Sequence, residues 1–172
     1  MNIPIAPVKF HNLTFGNEIE NSKEAIYVMN AVQAAFEYCH FSSNTNTMMY
    51  AMSNSRVHLH GCVLEGQSLC SRFLCLATET KLEISNSYVA NFLSFCTVLD
   101  PFNVYKMEIK VDSCYFEDVQ DGIRIVVHPA SDVKLFINKL KLELDILDPE
   151  MASHGNIFFL FFLGRKLGRR RL

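Results

Sequence analysis

The sequence predicts an all-β fold, a solenoid of about six stacked coils in a chain of 172 residues. Three observations predict it. The apolar spacing of Val57-His-Leu59-His-Gly-Cys62-Val-Leu64 returns five more times along the chain. The spacing changes parity once within each copy. A further apolar run then follows each copy after a polar interval. Self-similarity at a near-constant period is the mark of a repeat architecture.

With Leu59 as position zero, the pattern is apolar at minus two and zero, apolar or small at plus three, and apolar at plus five. Val8-Phe10-Leu13-Phe15, Ala34-Phe36-Cys39-Phe41 and Val57-Leu59-Cys62-Leu64 fit it. So do Leu82-Ile84-Ser87-Val89, Ile109-Val111-Cys114-Phe116 and Leu135-Ile137-Leu140-Leu142. The zero positions 10, 36, 59, 84, 111 and 137 lie 26, 23, 25, 27 and 26 residues apart. Only Ser87 departs from apolar or cysteine, and serine is small enough for an interior turn.

Each element follows from that spacing. Minus two and zero share parity, so both face one side of a first strand. Between zero and plus three the parity breaks, which requires a bend. Position plus two, where the bend falls, holds Asn12, Tyr38, Gly61, Asn86, Ser113 and Lys139. Asn and Gly tolerate the left-handed conformation that such a bend needs. Plus three and plus five alternate again on a second strand. Third strands are expected at Ile26–Val28, Met48–Met52, Phe73–Leu76, Phe95–Leu99, Ile123–Val127 and Ile157–Phe162. Helical repeats of similar length would show apolar spacing at i, i+3, i+4 and i+7, and these copies do not. Six coils at about 4.8 Å per step give a rod about 24 Å long.

On these residues the chain resembles the right-handed parallel β-helix of the pectate-lyase-like superfamily, in its coil pattern and over nearly its whole length. The superfamily's galacturonase-type motifs (Asn-x-Asp, Asp-Asp, Gly-His-Gly and Arg-x-Lys) are not in the sequence. The expected organisation is a β-helix domain over 1–163 and a basic tail over 164–172. A hydrophobic content of 49% supplies a substantial core for one domain. Five prolines and seven glycines argue against disorder.

Coil one begins by residue 8, with no amphipathic helix before it to cover the end of the stack. Solenoids need caps, so a partner segment or an oligomeric contact is expected there. Residues 1–7 hold no charged region leading into a long apolar run. No stretch reaches the roughly 18 apolar residues of a membrane span. The expectation is an intracellular protein of cytoplasm or nucleus, a virion protein, or part of something longer. Polar segments 16–24 and 42–47 fall at one phase of successive coils, where solenoids gather their binding loops.

Cys39, Cys62 and Cys114 occupy plus three and point inward, while Cys70, Cys75 and Cys96 lie in loops or third strands. They read as free thiols acting as small hydrophobes. Cys39 and Cys62, on adjacent coils, are also within the Cα separation of a disulfide. No CxxC is present, and no cofactor is expected.

Outward columns hold the candidate site residues. The plus-one column places His11, Glu37 and His60 on adjacent coils, with His58 on the same face. Imidazoles beside a carboxylate are the chemistry of metal binding or proton transfer, although a solvated polar stripe reads the same way. Glu117, Asp118, Asp121 and Arg124 form the one acidic segment that invites comparison with a lyase or glycosidase site. Lyases, however, draw their acids from several coils, and Asp121-Gly122 reads more simply as a turn. The plus-four column sets Val63, Tyr88 and Tyr115 side by side. Together with the outward Phe136 they are candidates for a partner or sugar surface.

The C-terminus changes character. Ile157–Leu163 is apolar throughout and reads as a last buried strand, with a dimer seam or a sticky edge as the alternative. Arg165, Lys166, Arg169, Arg170 and Arg171 then crowd the last nine residues. The remainder holds 11 basic against 18 acidic residues, a charge of −7. Such a tail suits nucleic acid, anionic lipid or an import receptor. Two function classes follow. One is a non-enzymatic β-helix scaffold presenting a stacked surface to protein partners, or to itself, as the resemblance to intracellular and viral β-helices implies. The other is a polysaccharide-binding or polysaccharide-processing β-helix, as much of the superfamily implies. Reduced inward cysteines and a lone acidic segment favour the first, a protein that is not an enzyme.

Overall fold

Apolar residues two apart build extended strands with one face inward, and the computed structural model places strands at these steps. It describes residues 6–16, 26–43, 47–66, 72–77, 79–100, 106–119, 121–127, 131–143 and 158–159. Among these, three six-stranded sheets run along the stack. The first sheet holds β1 (Val8–His11), β4 (Gln33–Glu37), β7 (Arg56–His60), β10 (Lys81–Ser85), β13 (Lys106–Asp112) and β16 (Asp132–Asn138). The second holds β2 (Thr14–Gly16), β5 (His40–Ser43), β8 (Val63–Gly66), β11 (Tyr88–Ala90), β14 (Tyr115–Glu117) and β17 (Lys141–Glu143). The third holds β3 (Ile26–Val28), β6 (Thr47–Ala51), β9 (Arg72–Leu76), β12 (Ser94–Asp100), β15 (Asp121–Val127) and β18 (Phe158–Phe159).

Register is the strongest link between sequence and fold. Phe10, Phe36, Leu59, Ile84, Val111 and Ile137 pair successively along the first sheet. The bend is equally regular. Asn12, Tyr38, Gly61, Asn86, Ser113 and Lys139 all have positive φ, between 48° and 61°. Parallel pairing stacks equivalent rings, and Phe10 lies on Phe36 at 4.8 Å, as Phe15 does on Phe41 at 4.9 Å. The inward corner at plus three is satisfied as well as buried. The Ser87 hydroxyl donates to the Ser85 carbonyl and accepts the Cys62 amide, so the one polar slot leaves no orphan.

Six rungs per sheet match the expected six coils, but the core is uneven. The four inner coils carry nearly all of it, with Phe36, Leu59 and Ile84 fully buried. At the end coils the equivalent positions are open or half-buried: Val8 is 50% and Leu13 46% exposed, and Leu135 and Ile137 are only partly covered.

Three expectations need correction or completion. The described cysteines Cys39, Cys62, Cys75, Cys96 and Cys114 are all free, so Cys39 and Cys62 are not bridged. Each of those two thiols instead donates to a carbonyl of the preceding rung, Cys39 to Phe10 and Cys62 to Phe36. Of the apolar run Ile157–Leu163 only Phe158–Phe159 falls within the described residues, and it pairs antiparallel with β15. A corner of three residues, as between β14 and β15, carries the chain onward round the coil. Residues 144–157, between β17 and β18, lie outside the described residues. Finally, Asp121-Gly122 is not a turn. β15 begins at Asp121, and the turn sits earlier, at Asp118 with φ 49°. Among the described residues no helix is long and apolar enough to cross a membrane.

Candidate functional site

Outward side chains of the first sheet line up in columns because parallel strands in register repeat at one spacing. His11, Glu37 and His60 are indeed neighbours in one column, and His58 shares the face of His60 with ring centroids 6.2 Å apart. They do not gather into a ligand set. The bend residue Tyr38 sends its ring between the two imidazoles, meeting His11 edge-on at 5.6 Å and His60 at 5.5 Å. His60 Nδ1 is in turn held by the Ser85 hydroxyl at 2.9 Å. Among the described residues no three of His, Cys, Asp and Glu are placed to hold a metal.

Farther along the same face, charges neutralise one another. Glu108 takes Lys110 at 2.9 Å and Lys81 at 3.6 Å. The hydrogen bond from Lys110 holds the Glu108 carboxyl below its usual range and pushes the Lys110 amine up. Asn138 donates to Asp112 at 2.7 Å. Phe136, 52% exposed, lines a shallow depression here with Glu83, Lys110 and Asn138. It therefore lies on a different sheet from Val63, Tyr88 and Tyr115, and the expected four-residue surface divides in two.

The second sheet carries the aromatic stripe. Val63, Tyr88 and Tyr115 pair successively, as the plus-four column requires. The two tyrosine rings lie 5.5 Å apart and are tilted by 43°, so they offer no flat platform. Lys141 sits 4.5 Å over the Tyr115 ring, a cation–π contact on the next rung. The Tyr88 hydroxyl donates to Glu117 at 2.8 Å. That bond first, then burial and the charges of Glu117, Glu65 and Asp118, push the Tyr88 phenol up to about 12. One diagonal step away His40 Nε2 meets Glu65 at 3.1 Å. Sequence reasoning passed over this pair, although its column positions, plus four and plus six on adjacent coils, would have revealed it.

Of the acidic segment, Glu117 ends β14, Asp118 occupies the bend, and Asp121 and Arg124 lie on β15. The side chains of Asp121 and Arg124 lie outside the described residues, as do Cys70, the loops 17–25 and 44–46, and the basic tail 164–172. Buried thiols complete the inventory. Burial pushes Cys62, Cys75, Cys96 and Cys114 above the ordinary thiol range, which leaves little thiolate for nucleophilic chemistry.

On the outer faces Glu65, Glu108, Glu117 and Asp112 are engaged by His40, Lys110, Tyr88 and Asn138. Searches of curated proteins and of solved structures returned no match. A family model described as the right-handed beta helix region matches residues 8–139. That span covers the strands from β1 to β16 with their register and left-handed bends, and the chain belongs to the right-handed β-helix family.

Proposed function

We propose that this β-helix is a non-enzymatic interaction module, and that its exposed first coil docks on a second copy of the chain. One observation carries the reading. Val8 and Leu13 stand at core positions of the repeat yet are 50% and 46% exposed, whereas Ala34 and Cys39, their equivalents one coil on, are 4% and 1% exposed. Apolar area left uncovered at core positions favours association by roughly 25 cal/mol per Å² buried. Among the described residues β1, β2 and β3 each have one strand neighbour, so their other edges are open to pairing. The pairing of Glu65, Glu108 and Glu117 with His40, Lys110 and Tyr88 supports the non-enzymatic reading.

Sedimentation velocity on the full chain tests the reading. Self-association that weakens in the variant Val8→Glu/Leu13→Glu, with the circular dichroism unchanged, is the expected result. A monomer up to millimolar concentration would overturn the docking. Turnover of a polysaccharide, abolished by Asp118→Asn, would overturn the non-enzymatic assignment.

A further inference from the structure

We infer that two copies dock first coil to first coil about a two-fold axis, with Phe10, Phe15 and Tyr27 as the rings that meet. This rests on the reading that the first coil binds a second copy, and it states which surface of that copy is bound.

Three aromatic ladders end on the first coil, one on each sheet. Phe10 lies on Phe36 at 4.8 Å, Phe15 on Phe41 at 4.9 Å and Tyr27 on Tyr50 at 5.2 Å, with interplanar angles of 12°, 12° and 8°. The next rung of each column is not aromatic: Leu59, Leu64 and Cys75 follow. Among the described residues each first-coil ring is therefore stacked on its inner side alone. Tyr27 remains 54% exposed despite its stacked neighbour. Such faces favour another ring set against them. Among the described residues the far end of the molecule presents no such set. Ile137 and Leu142 hold the corresponding positions of the first two sheets, and the third sheet closes in β18, which runs against the other strands. A second first coil supplies all three rings.

Symmetry then selects the placement. An isologous contact sets the same patch of both copies together, and a two-fold axis across the stack makes the paired strands antiparallel. Strand parity breaks at the Asn12 bend, between β1 and β2. An axis through that bend pairs inward residues with inward ones: Phe10 falls on Phe15 of the second copy, and Phe15 on its Phe10. The third sheet lies opposite the bend, so Tyr27 falls on Tyr27. Outward, Lys9 comes level with Gly16 and His11 with Thr14, and no like charges oppose each other. An axis through β1 would instead set Lys9 against a second Lys9 or against His11, and like charges across a ladder are destabilising.

The test mixes full-length chains in light and isotopically heavy form and couples them with a lysine-reactive bis-ester. Peptides from the band of dimer mass are read by mass spectrometry. Light Lys9 joined to heavy Lys9 is the expected product, whereas stacking of first coil on last coil would join Lys9 to Lys134 or Lys141. In sedimentation velocity, Tyr27→Ala should weaken self-association roughly two- to tenfold, the scale of one aromatic pair. Tyr27→Phe, which keeps the ring, should leave it unchanged. If Tyr27→Ala misfolds by circular dichroism, the coupling pattern of the unmodified chain decides. Self-association without the Lys9–Lys9 product would overturn this inference alone, as would undiminished association of a folded Tyr27→Ala. A chain that stays monomeric would overturn the docking with it.

Discussion

Gly61 shows how a single missing side chain fixes a corner. Its φ of 61° is one that other residues adopt at a cost, and a Cβ built there would lie 2.7 Å from two ring atoms of Tyr38. Gly61→Ala therefore loses twice, through backbone strain of about 1–2 kcal/mol and through displacement of the Tyr38 ring. A urea melt should show the larger loss when Gly61→Ala is made in the unmodified chain, and only the backbone part when the same change is made in Tyr38→Ala. Gly66 is as tightly held, since a Cβ there would overlap the Asn91 carbonyl. A second residue-scale prediction concerns Tyr88. Its folded phenol titrates near 12, above the unfolded value of about 10. The stabilisation is full below the unfolded value and is lost as pH rises through the folded one. Absorbance titration should find one tyrosine ionising late, and Glu117→Gln should bring it down. At this scale the sequence is only half legible. Asn12, Gly61 and Asn86 declare a left-handed bend by chemistry, but Tyr38 and Lys139 adopt it with no such preference. Only their place in the repeat gives them away. The direction of the Tyr38 ring, which parts His11 from His60, was not readable at all.

At the scale of elements, what can be read depends on how many faces a strand buries. First-sheet strands alternate cleanly, as the pattern of β10 does, because one face is core and the other solvent. Their columns and register could therefore be written down from spacing alone. β12 is different: Ser94, Phe95, Cys96, Thr97 and Val98 are all buried, so no alternation marks the inward side. The third sheet was visible only as apolar runs. β18 shows the other limit, since direction in a ladder is not encoded in apolar content, and Phe158–Phe159 runs against the expected sense. Position within the stack sets the cost of truncation. Ile84 is fully buried, so Ile84→Ala should cost about 2–5 kcal/mol in a denaturant melt. Val8 occupies an equivalent kind of site but is 50% exposed, so Val8→Ala should cost about 1 kcal/mol or less by the burial it forfeits. Equal losses would mean that the first coil is covered as well as the inner ones.

For the whole molecule, the relevant physics is nearly one-dimensional. Each coil touches only its neighbours, so stability is a sum of coil terms and the interfaces between them. Opening an inner coil breaks two such interfaces and opening an end coil breaks one, which orders local unfolding along the stack. Amide hydrogen exchange should therefore be slowest in β7 and β10 and fastest in β1, β2 and β16. The two ends then respond differently to concentration. If the first coil docks on a second copy, raising the protein concentration slows exchange in β1 and β2 while leaving β16 unchanged. Protection appearing at β16 instead would move the contact to the other end, where Leu135 and Ile137 are only partly covered. Protection unchanged at both ends would leave Val8 and Leu13 as a solvent-facing edge, and the driving force for assembly would have to come from the outer faces.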